Sequence, residues 1–323
     1  MSSEKNTENN GGLKGLRESY RASLKSSDTE EAFDLIFYRP IGFAWAILCR
    51  RLGIRPNAIT IASIFLGVGA GIMFYFNNLW LNVIGMFLLV WANSFDSADG
   101  QLARLTKQYS PLGRILDGLS GDLWFISIYV CICLREVQTS PFFILYPALI
   151  WIMASLAGIC HGIQAAQADY YRQFHLFFVK GAELSELDSS DQLKEKKAAL
   201  SWRKNFFPKL IQFFYCSYTI AQERRTPTMQ ALRAQMRKCF PDGKIPAAFS
   251  SEFRRLSKPL MKYTNILSFN TRCFALFISI FIKMPWIYFA FELTFMNALL
   301  VYMMWRHERI CARLLKDLKD GKY

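Results

Sequence analysis

Long apolar stretches alternate with basic, polar stretches along this chain. Six apolar stretches are close to the roughly 20 residues that an α-helix needs to cross a bilayer. We predict transmembrane helices at about Asn57–Phe76, Leu79–Arg104, Leu112–Leu134, Pro141–Gln167, Thr264–Ile282 and Pro285–Trp305. The fifth is the weakest, because Asn265, Asn270 and Arg272 interrupt its first turns. In the first, Gly67 and Gly71 have the GxxxG spacing that favours close helix packing.

Two polar or amphipathic segments precede the first span. Residues 1–29 are polar and lack the apolar core of a signal peptide, so we predict that they are disordered. Residues 30–52 mix aromatic and aliphatic side chains with three arginines, which predicts an amphipathic helix lying in the membrane interface. Pro40 and the arginines make an additional span the weaker interpretation.

The fold class that follows is all-α: an integral membrane six-helix bundle with an N-terminal interfacial amphipathic helix. We divide the chain into a disordered N-terminus (1–29), the interfacial helix (30–55), spans one to four with an acidic motif (56–170), a basic cytosolic insertion (171–262), spans five and six (263–306) and a cytosolic tail (307–323).

Composition and charge support a membrane protein over two other classes. The 323 residues are 52% hydrophobic, and a soluble protein of one or two domains would have to cover runs such as Ile144–Ile159, which offer no polar face. The net charge of +14 is compatible with nucleic-acid binding. The positive charge lies mostly between the apolar segments, however, which is typical of cytosolic loops beside anionic lipid. We therefore predict no nucleic-acid partner, and we expect both termini and the acidic motif on the cytosolic side, in the cell membrane if the source is bacterial.

The chemistry-bearing stretch runs from Asp96 to Asp122 and reads DSADGQLARLTKQYSPLGRILDGLSGD. Asp96 and Asp99 share a helix face, and Asp117 opens the next span, beside them across a short loop. Charged groups in membrane segments are costly and are kept mainly where they function. Converging carboxylates favour Mg²⁺ or Mn²⁺, and a metal held beside the membrane points to phosphate or pyrophosphate chemistry.

This stretch resembles the signature of the CDP-alcohol phosphatidyltransferases. The signature is Asp, two residues, Asp-Gly, two residues, Ala-Arg, eight residues, Gly, three residues, Asp, three residues, Asp. The matching residues are Asp96, Asp99, Gly100, Ala103, Arg104, Gly113 and Asp117. The resemblance covers 56–134 by motif and the remainder by hydropathy.

The resemblance implies an activity and a role for each matching residue. Asp96, Asp99 and Asp117 would hold metal. Gly100, Ala103 and Gly113 would make room for the cytidine nucleotide, and Arg104 would support that site. The implied partners are a CDP-linked lipid donor, a small polar alcohol and the bilayer, with CMP as the product. A homodimer is also implied.

One position departs from the signature. The fourth Asp should stand at 121, but the residue there is Gly121, and Asp122 follows. A slip of one residue turns a side chain by about 100° on a regular helix. We expect a π-bulge near 118–121 to return Asp122 to the site as catalytic base and metal ligand, with Asp117 as its partner. The alternatives are a single metal, another base or an impaired site.

The acceptor site is less defined. Candidate contacts are Lys107, Arg114, His161, Gln164 and Arg172. Polar residues near the end of the fourth span fit a hydrophilic substrate cavity. An equally good interpretation is that these residues lie at the helix end and face lipid headgroups. Lys or Arg near a helix end commonly extends to the interface.

Three functions stay in competition. The main hypothesis is transfer of a phosphatidyl group from CDP-diacylglycerol to a polar alcohol such as inositol or inositol phosphate. A CDP-ethanolamine or CDP-choline phosphotransferase acting on a lipid alcohol is the nearest alternative. A non-catalytic membrane scaffold or an ion transporter is an alternative of another class, which Gly121 favours and the Ala-Arg and glycine spacing disfavours.

Overall fold

A computed structural model describes residues 13–24, 28–181, 187, 189–199 and 206–323. Within these residues the chain is helical, and 6 helices are long and apolar enough to cross a membrane. The prediction of an all-α, multi-pass membrane fold is confirmed. The chain divides into two compact units.

The first unit comprises the described residues up to Gly158 together with Cys273–Ala290. Its first six helices are α1 (Leu13–Ser23), α2 (Arg39–Arg51), α3 (Pro56–Tyr75), α4 (Leu79–Thr106), α5 (Pro111–Thr139) and α6 (Pro141–Leu145). A π-helical segment, Asp34–Tyr38, leads into α2. α3 packs against both α4 and α5, and α2 packs against α4.

Two glycines on α3 allow α5 to approach closely. A Cβ atom at Gly67 would overlap the indole ring of Trp124, and one at Gly71 would lie 2.8 Å from the backbone nitrogen of Ile128. At both positions the Cβ atom would come closer to its neighbour than Cβ atoms do in real structures, so only glycine fits there. The close packing expected from the GxxxG spacing is therefore formed between α3 and α5.

The segment ahead of the first span folds onto the end of α4. The Nε2 atom of Gln101 donates to the Ser23 hydroxyl at 3.1 Å and to the Arg39 carbonyl at 3.2 Å. Arg39 in turn donates to Glu30 at 2.6 Å and to the Ser97 hydroxyl at 3.2 Å. These bonds order α1 and α2 against α4, so part of the segment expected to be disordered, Leu13–Ser23, is helical.

Three expected spans differ in detail from the structure. The fourth is divided at Tyr146, because a residue before proline disfavours the helical conformation, and α7 then runs from Pro147 to Lys180. The fifth consists of α11 (Ala247–Ile266) and α12 (Phe269–Phe281), with a break at 267–268. The sixth consists of α13 (Trp286–Phe291), a π-helical segment (Glu292–Met296) and α14 (Asn297–Lys319).

The second unit comprises the described residues of Ile159–Arg272 together with Phe291–Tyr323. Besides parts of α7 and α12, it contains α8 (Ser190–Ala199), α9 (Phe206–Arg224), α10 (Pro227–Cys239), α11 and α14. α14 packs against α10 and α11. Its core is aromatic, with Tyr171, Phe174, Phe178, Phe249 and Phe253 buried together. The basic insertion expected at 171–262 thus contributes helices to a packed core.

Candidate active site

Three carboxylates meet where α4 ends and α5 begins. Asp96 and Asp99 lie one turn apart on α4, and the chain then reverses through Lys107, whose left-handed backbone (φ 54°) ends the helix. Ser110 caps the start of α5 by accepting a hydrogen bond from the backbone of Gly113 at 2.9 Å. α5 returns Asp117 to the first pair, so that one oxygen from each of the three acids lies within 4.8 Å of the others.

Two hydroxyl groups hold the carboxylates in place. The Thr60 hydroxyl of α3 donates to Oδ2 of Asp99 at 2.5 Å, and both side chains are buried. The Ser120 hydroxyl of α5 lies 3.0 Å from Oδ1 of Asp96 and 2.8 Å from the Asp117 carbonyl. Asp117 itself is exposed. The three acids therefore have different access to solvent.

Ser120 did not stand out in the sequence. Its spacing of three residues from Asp117 is the feature that indicates a place beside the acids, because residues three apart on a helix share a face. Ser120 is also 1% exposed, so its hydroxyl points into the protein near the acids.

The structure does not contain the π-bulge expected near 118–121. α5 is α-helical over its whole length, so that prediction is wrong. On a regular helix Asp122 lies about 140° around the axis from Asp117, whereas Ser120 lies about 60° away. Asp122 is exposed and is not part of the three-acid group formed among the described residues. At Gly121, a Cβ atom would meet nothing within 4 Å.

Three of the residues expected around a nucleotide lie at the end of α4 that carries Asp96 and Asp99, and they are Gly100, Ala103 and Arg104. A Cβ atom at Gly100 would lie 3.4 Å from the Arg104 guanidinium. Arg104 donates through Nε to the Ser23 carbonyl at 2.5 Å, while its buried Nη2 finds no hydrogen-bond partner among the described residues. Ala103 is partly buried on α4.

Gly113 has a packing role that the sequence did not indicate. A Cβ atom there would lie 2.6 Å from Oδ1 of Asn57 and 2.9 Å from the Ser110 hydroxyl. Asn57 and Ser110 also hydrogen-bond to each other at 3.3 Å. Gly113 thus lets the first turn of α5 lie against the first turn of α3.

Residues 53–175 match the family model described as CDP-alcohol phosphatidyltransferase. This part of the chain is a CDP-alcohol phosphatidyltransferase domain. The domain includes the three acids, their hydroxyl partners and the nucleotide candidates.

A curated relative of the transferase domain is the CDP-diacylglycerol–glycerol-3-phosphate 3-phosphatidyltransferase of Cereibacter sphaeroides. The two sequences are 33% identical over 96 residues, which is 29% of this chain. The match spans 43% of that relative, less than half its length. No solved structure gives a significant match to the chain.

Two acceptor candidates of the transferase domain join a buried polar network in the second unit. Gln164 accepts a hydrogen bond from Arg272 at 2.8 Å and donates to Asn297 at 2.9 Å. Arg272 also contacts Glu292 at 3.4 Å, and the Nδ1 atom of His161 lies 3.8 Å from the same carboxylate. The network explains the polar residues Glu292 and Asn297 of the sixth span.

The other acceptor candidates are placed elsewhere. Arg172 donates to Asn265 at 3.1 Å and to the Ser268 hydroxyl at 3.0 Å, also in the second unit. Lys107 is exposed at the end of α4. Arg114 lies in the first turn of α5, and its side chain lies outside the described part of the structure.

Proposed function

We propose that this chain is a metal-dependent transferase of phospholipid biosynthesis. It would transfer a phosphatidyl group from CDP-diacylglycerol to a hydroxyl of a small polar alcohol and release CMP. The observation that carries the proposal is the meeting of Asp96, Asp99 and Asp117 within 4.8 Å inside a CDP-alcohol phosphatidyltransferase domain. The name of the Cereibacter sphaeroides relative contains the same donor.

The three acids fit a hard divalent cation. Mg²⁺ binds oxygen at about 2.1 Å, so two of its octahedral ligands are separated by about 3 to 4.2 Å. The observed limit of 4.8 Å needs only a small closure of the side chains. A bound Mg²⁺ or Mn²⁺ would neutralise charge that develops on the CMP leaving group.

We base the proposed role of each carboxylate on its access to solvent. Asp99 is buried and held by Thr60, and Asp96 is partly buried and held by Ser120, so both serve as ligands. Asp117 is exposed and can be reached by an incoming alcohol. One of its oxygens would face the metal, and the other would take the hydroxyl proton while the alcohol oxygen bonds to phosphorus and the bond from phosphorus to CMP breaks. We propose that Asp122 has no part in this step.

The acceptor and the membrane orientation are also proposals. The match to the CDP-alcohol phosphatidyltransferase family supports an alcohol acceptor, and inositol or inositol phosphate is our choice. The basic loops support a cytosolic location for the acids and both termini. We retain a homodimer as the proposed assembly.

The test is CMP release by the purified protein with Mg²⁺ or Mn²⁺ and CDP-diacylglycerol. Inositol, inositol phosphate and glycerol 3-phosphate are compared as acceptors. We expect CMP release that depends on both the metal and one acceptor. D96N, D99N and D117N should reduce the rate by at least about 100-fold, because each removes a charged ligand or the base.

D122N is the matched control, because it neutralises an exposed carboxylate of the same helix outside the three-acid group. We expect its rate to stay within about 3-fold of the unmodified protein. A loss as large as that of D117N would restore the role of Asp122 as base. CMP release only with CDP-ethanolamine or CDP-choline and a lipid alcohol would reassign the donor, and none with any donor would overturn the proposed activity.

A further inference from the structure

A basic helix face begins where the last apolar stretch ends. The twenty residues from Trp286 to Trp305 contain one charged residue, Glu292, and are long enough to cross the hydrocarbon core. Arg306, Arg309 and Arg313 follow at helical spacings of three and four, which puts their side chains on one face of α14. All three are exposed.

The same three arginines line a groove in the second unit. The groove has a volume of ≈ 260 Å³, and Leu256 of α11, Trp305 and Ile310 line it together with the arginines. It therefore combines apolar side chains with three guanidinium groups. Trp305 is 48% exposed, as is typical of tryptophans at the headgroup level of a bilayer.

The positive charge of the groove is poorly compensated by the protein. Arg309 lies 4.2 Å over the ring of Trp305, and Arg306 donates to the Tyr302 hydroxyl at 3.3 Å. Neither arginine forms an ion pair with any residue that the structure describes. Arg313 approaches Glu252 at 3.7 Å, but that carboxylate also accepts two bonds from Arg255, at 2.7 and 2.8 Å.

We propose that this groove binds the headgroup phosphate of an acidic phospholipid of the surrounding bilayer. Guanidinium groups bind phosphate oxygens through pairs of charge-assisted hydrogen bonds. The apolar lining and the exposed Trp305 favour a lipid over a soluble phosphate, because the lipid also buries its glycerol and upper acyl carbons there. The proposal does not depend on the transferase activity, and the lipid binds without a CDP-linked donor.

The test is binding of phosphatidylglycerol to the full-length protein in a neutral detergent, measured by native mass spectrometry. Phosphatidylcholine is the lipid control, and inorganic phosphate is the soluble control. We expect phosphatidylglycerol to bind more tightly than phosphatidylcholine. R306Q/R309Q should weaken its binding about 30-fold, since each basic group near an anionic lipid contributes about a factor of 5.

K316Q/K319Q is the matched control, because it removes two exposed charges from the same helix outside the groove. Its affinity for phosphatidylglycerol should stay within about 3-fold of the unmodified protein. R306K/R309K should weaken binding less than R306Q/R309Q does, because it keeps the charge but not the planar fork. Should R306Q/R309Q fail to fold, R309Q alone should weaken binding about 5-fold.

The proposal fails if R306Q/R309Q, eluting as a folded species, binds phosphatidylglycerol as the unmodified protein does. It also fails if phosphatidylcholine binds equally tightly, or if inorganic phosphate at millimolar concentration displaces the lipid completely, since the groove would then be a site for soluble anions.

Discussion

Neutralising Asp96 should stabilise the metal-free protein while abolishing its response to metal. One oxygen each of Asp96, Asp99 and Asp117 lies within 4.8 Å of the others. Two unit charges 4.8 Å apart repel by about 0.9 kcal/mol in a water-like dielectric and by about 3.5 kcal/mol at an effective dielectric constant of 20. D96N removes the repulsion between Asp96 and the exposed Asp117. Because the site is partly open to solvent, the lower value applies, and we expect a gain of about 1 kcal/mol.

That gain translates into a measurable change of melting temperature. An unfolding entropy of about 2.1 cal/mol/K per residue over the chain makes 1 kcal/mol equivalent to about 1.5 °C. With metal at 100 times its dissociation constant, the unmodified protein should gain about 2.7 kcal/mol, or about 4 °C, and D96N should gain none. D96N should therefore melt at a higher temperature than the unmodified protein without metal, and at a lower temperature with metal.

The assay is thermal unfolding in detergent, followed by tryptophan fluorescence with EDTA or with Mg²⁺. The Asn side chain keeps an oxygen for the Ser120 hydroxyl, so the hydrogen bond seen at 3.0 Å is preserved. D122N is the control and should respond to Mg²⁺ as the unmodified protein does. A lower melting temperature of D96N in EDTA, or an unchanged response of D96N to Mg²⁺, would show that the three acids do not act as a repulsive group relieved by metal.

Three further substitutions test packing and buried polar contacts. Gly67→Ala should destabilise the protein by about 1–3 kcal/mol in thermal unfolding because its Cβ overlaps a tryptophan ring of α5, whereas Gly69→Ala, with its nearest neighbour at 3.7 Å, should be tolerated. Thr60→Val should raise the Mg²⁺ concentration needed for half-maximal CMP release, and Thr60→Ser should not, because only Val removes the hydroxyl that holds a buried carboxylate. Glu292→Leu should lower the free energy of unfolding by about 3–5 kcal/mol, because it leaves Arg272 without a carboxylate partner. Adding Arg272→Met should recover most of that loss. Equal melting temperatures of the single and double variants would refute this coupling.

The fold and the three-acid group were predictable because their determinants are local. Apolar length predicts the spans. The spacing of Asp96 and Asp99 predicts a shared face, and the short connection to α5 brings Asp117 beside them.

The contacts that the sequence did not show join residues far apart along the chain. Gln164 and Glu292 are polar residues in separate apolar helices, and no periodicity indicates that they meet. The bond from Arg104 to Ser23 likewise crosses 81 positions. The structure has π-helical segments at Asp34–Tyr38 and Glu292–Met296, and not beside Asp122, where the sequence led us to expect one.

The ion pair of Arg272 and Glu292 also constrains how the chain enters the membrane during synthesis. An arginine in an isolated membrane helix costs up to about 2.5–3.5 kcal/mol on insertion, the value for the helix centre. Arg272 is 1% exposed and its partner stands twenty residues later, in the following helix. Gln164 of the fourth span offers Arg272 a neutral partner, so the fifth helix leaves the translocon with the charge of Arg272 uncompensated unless the sixth is already beside it. The two are best released together as a hairpin, so an arrest that holds the sixth helix inside the ribosome should stall integration of the fifth.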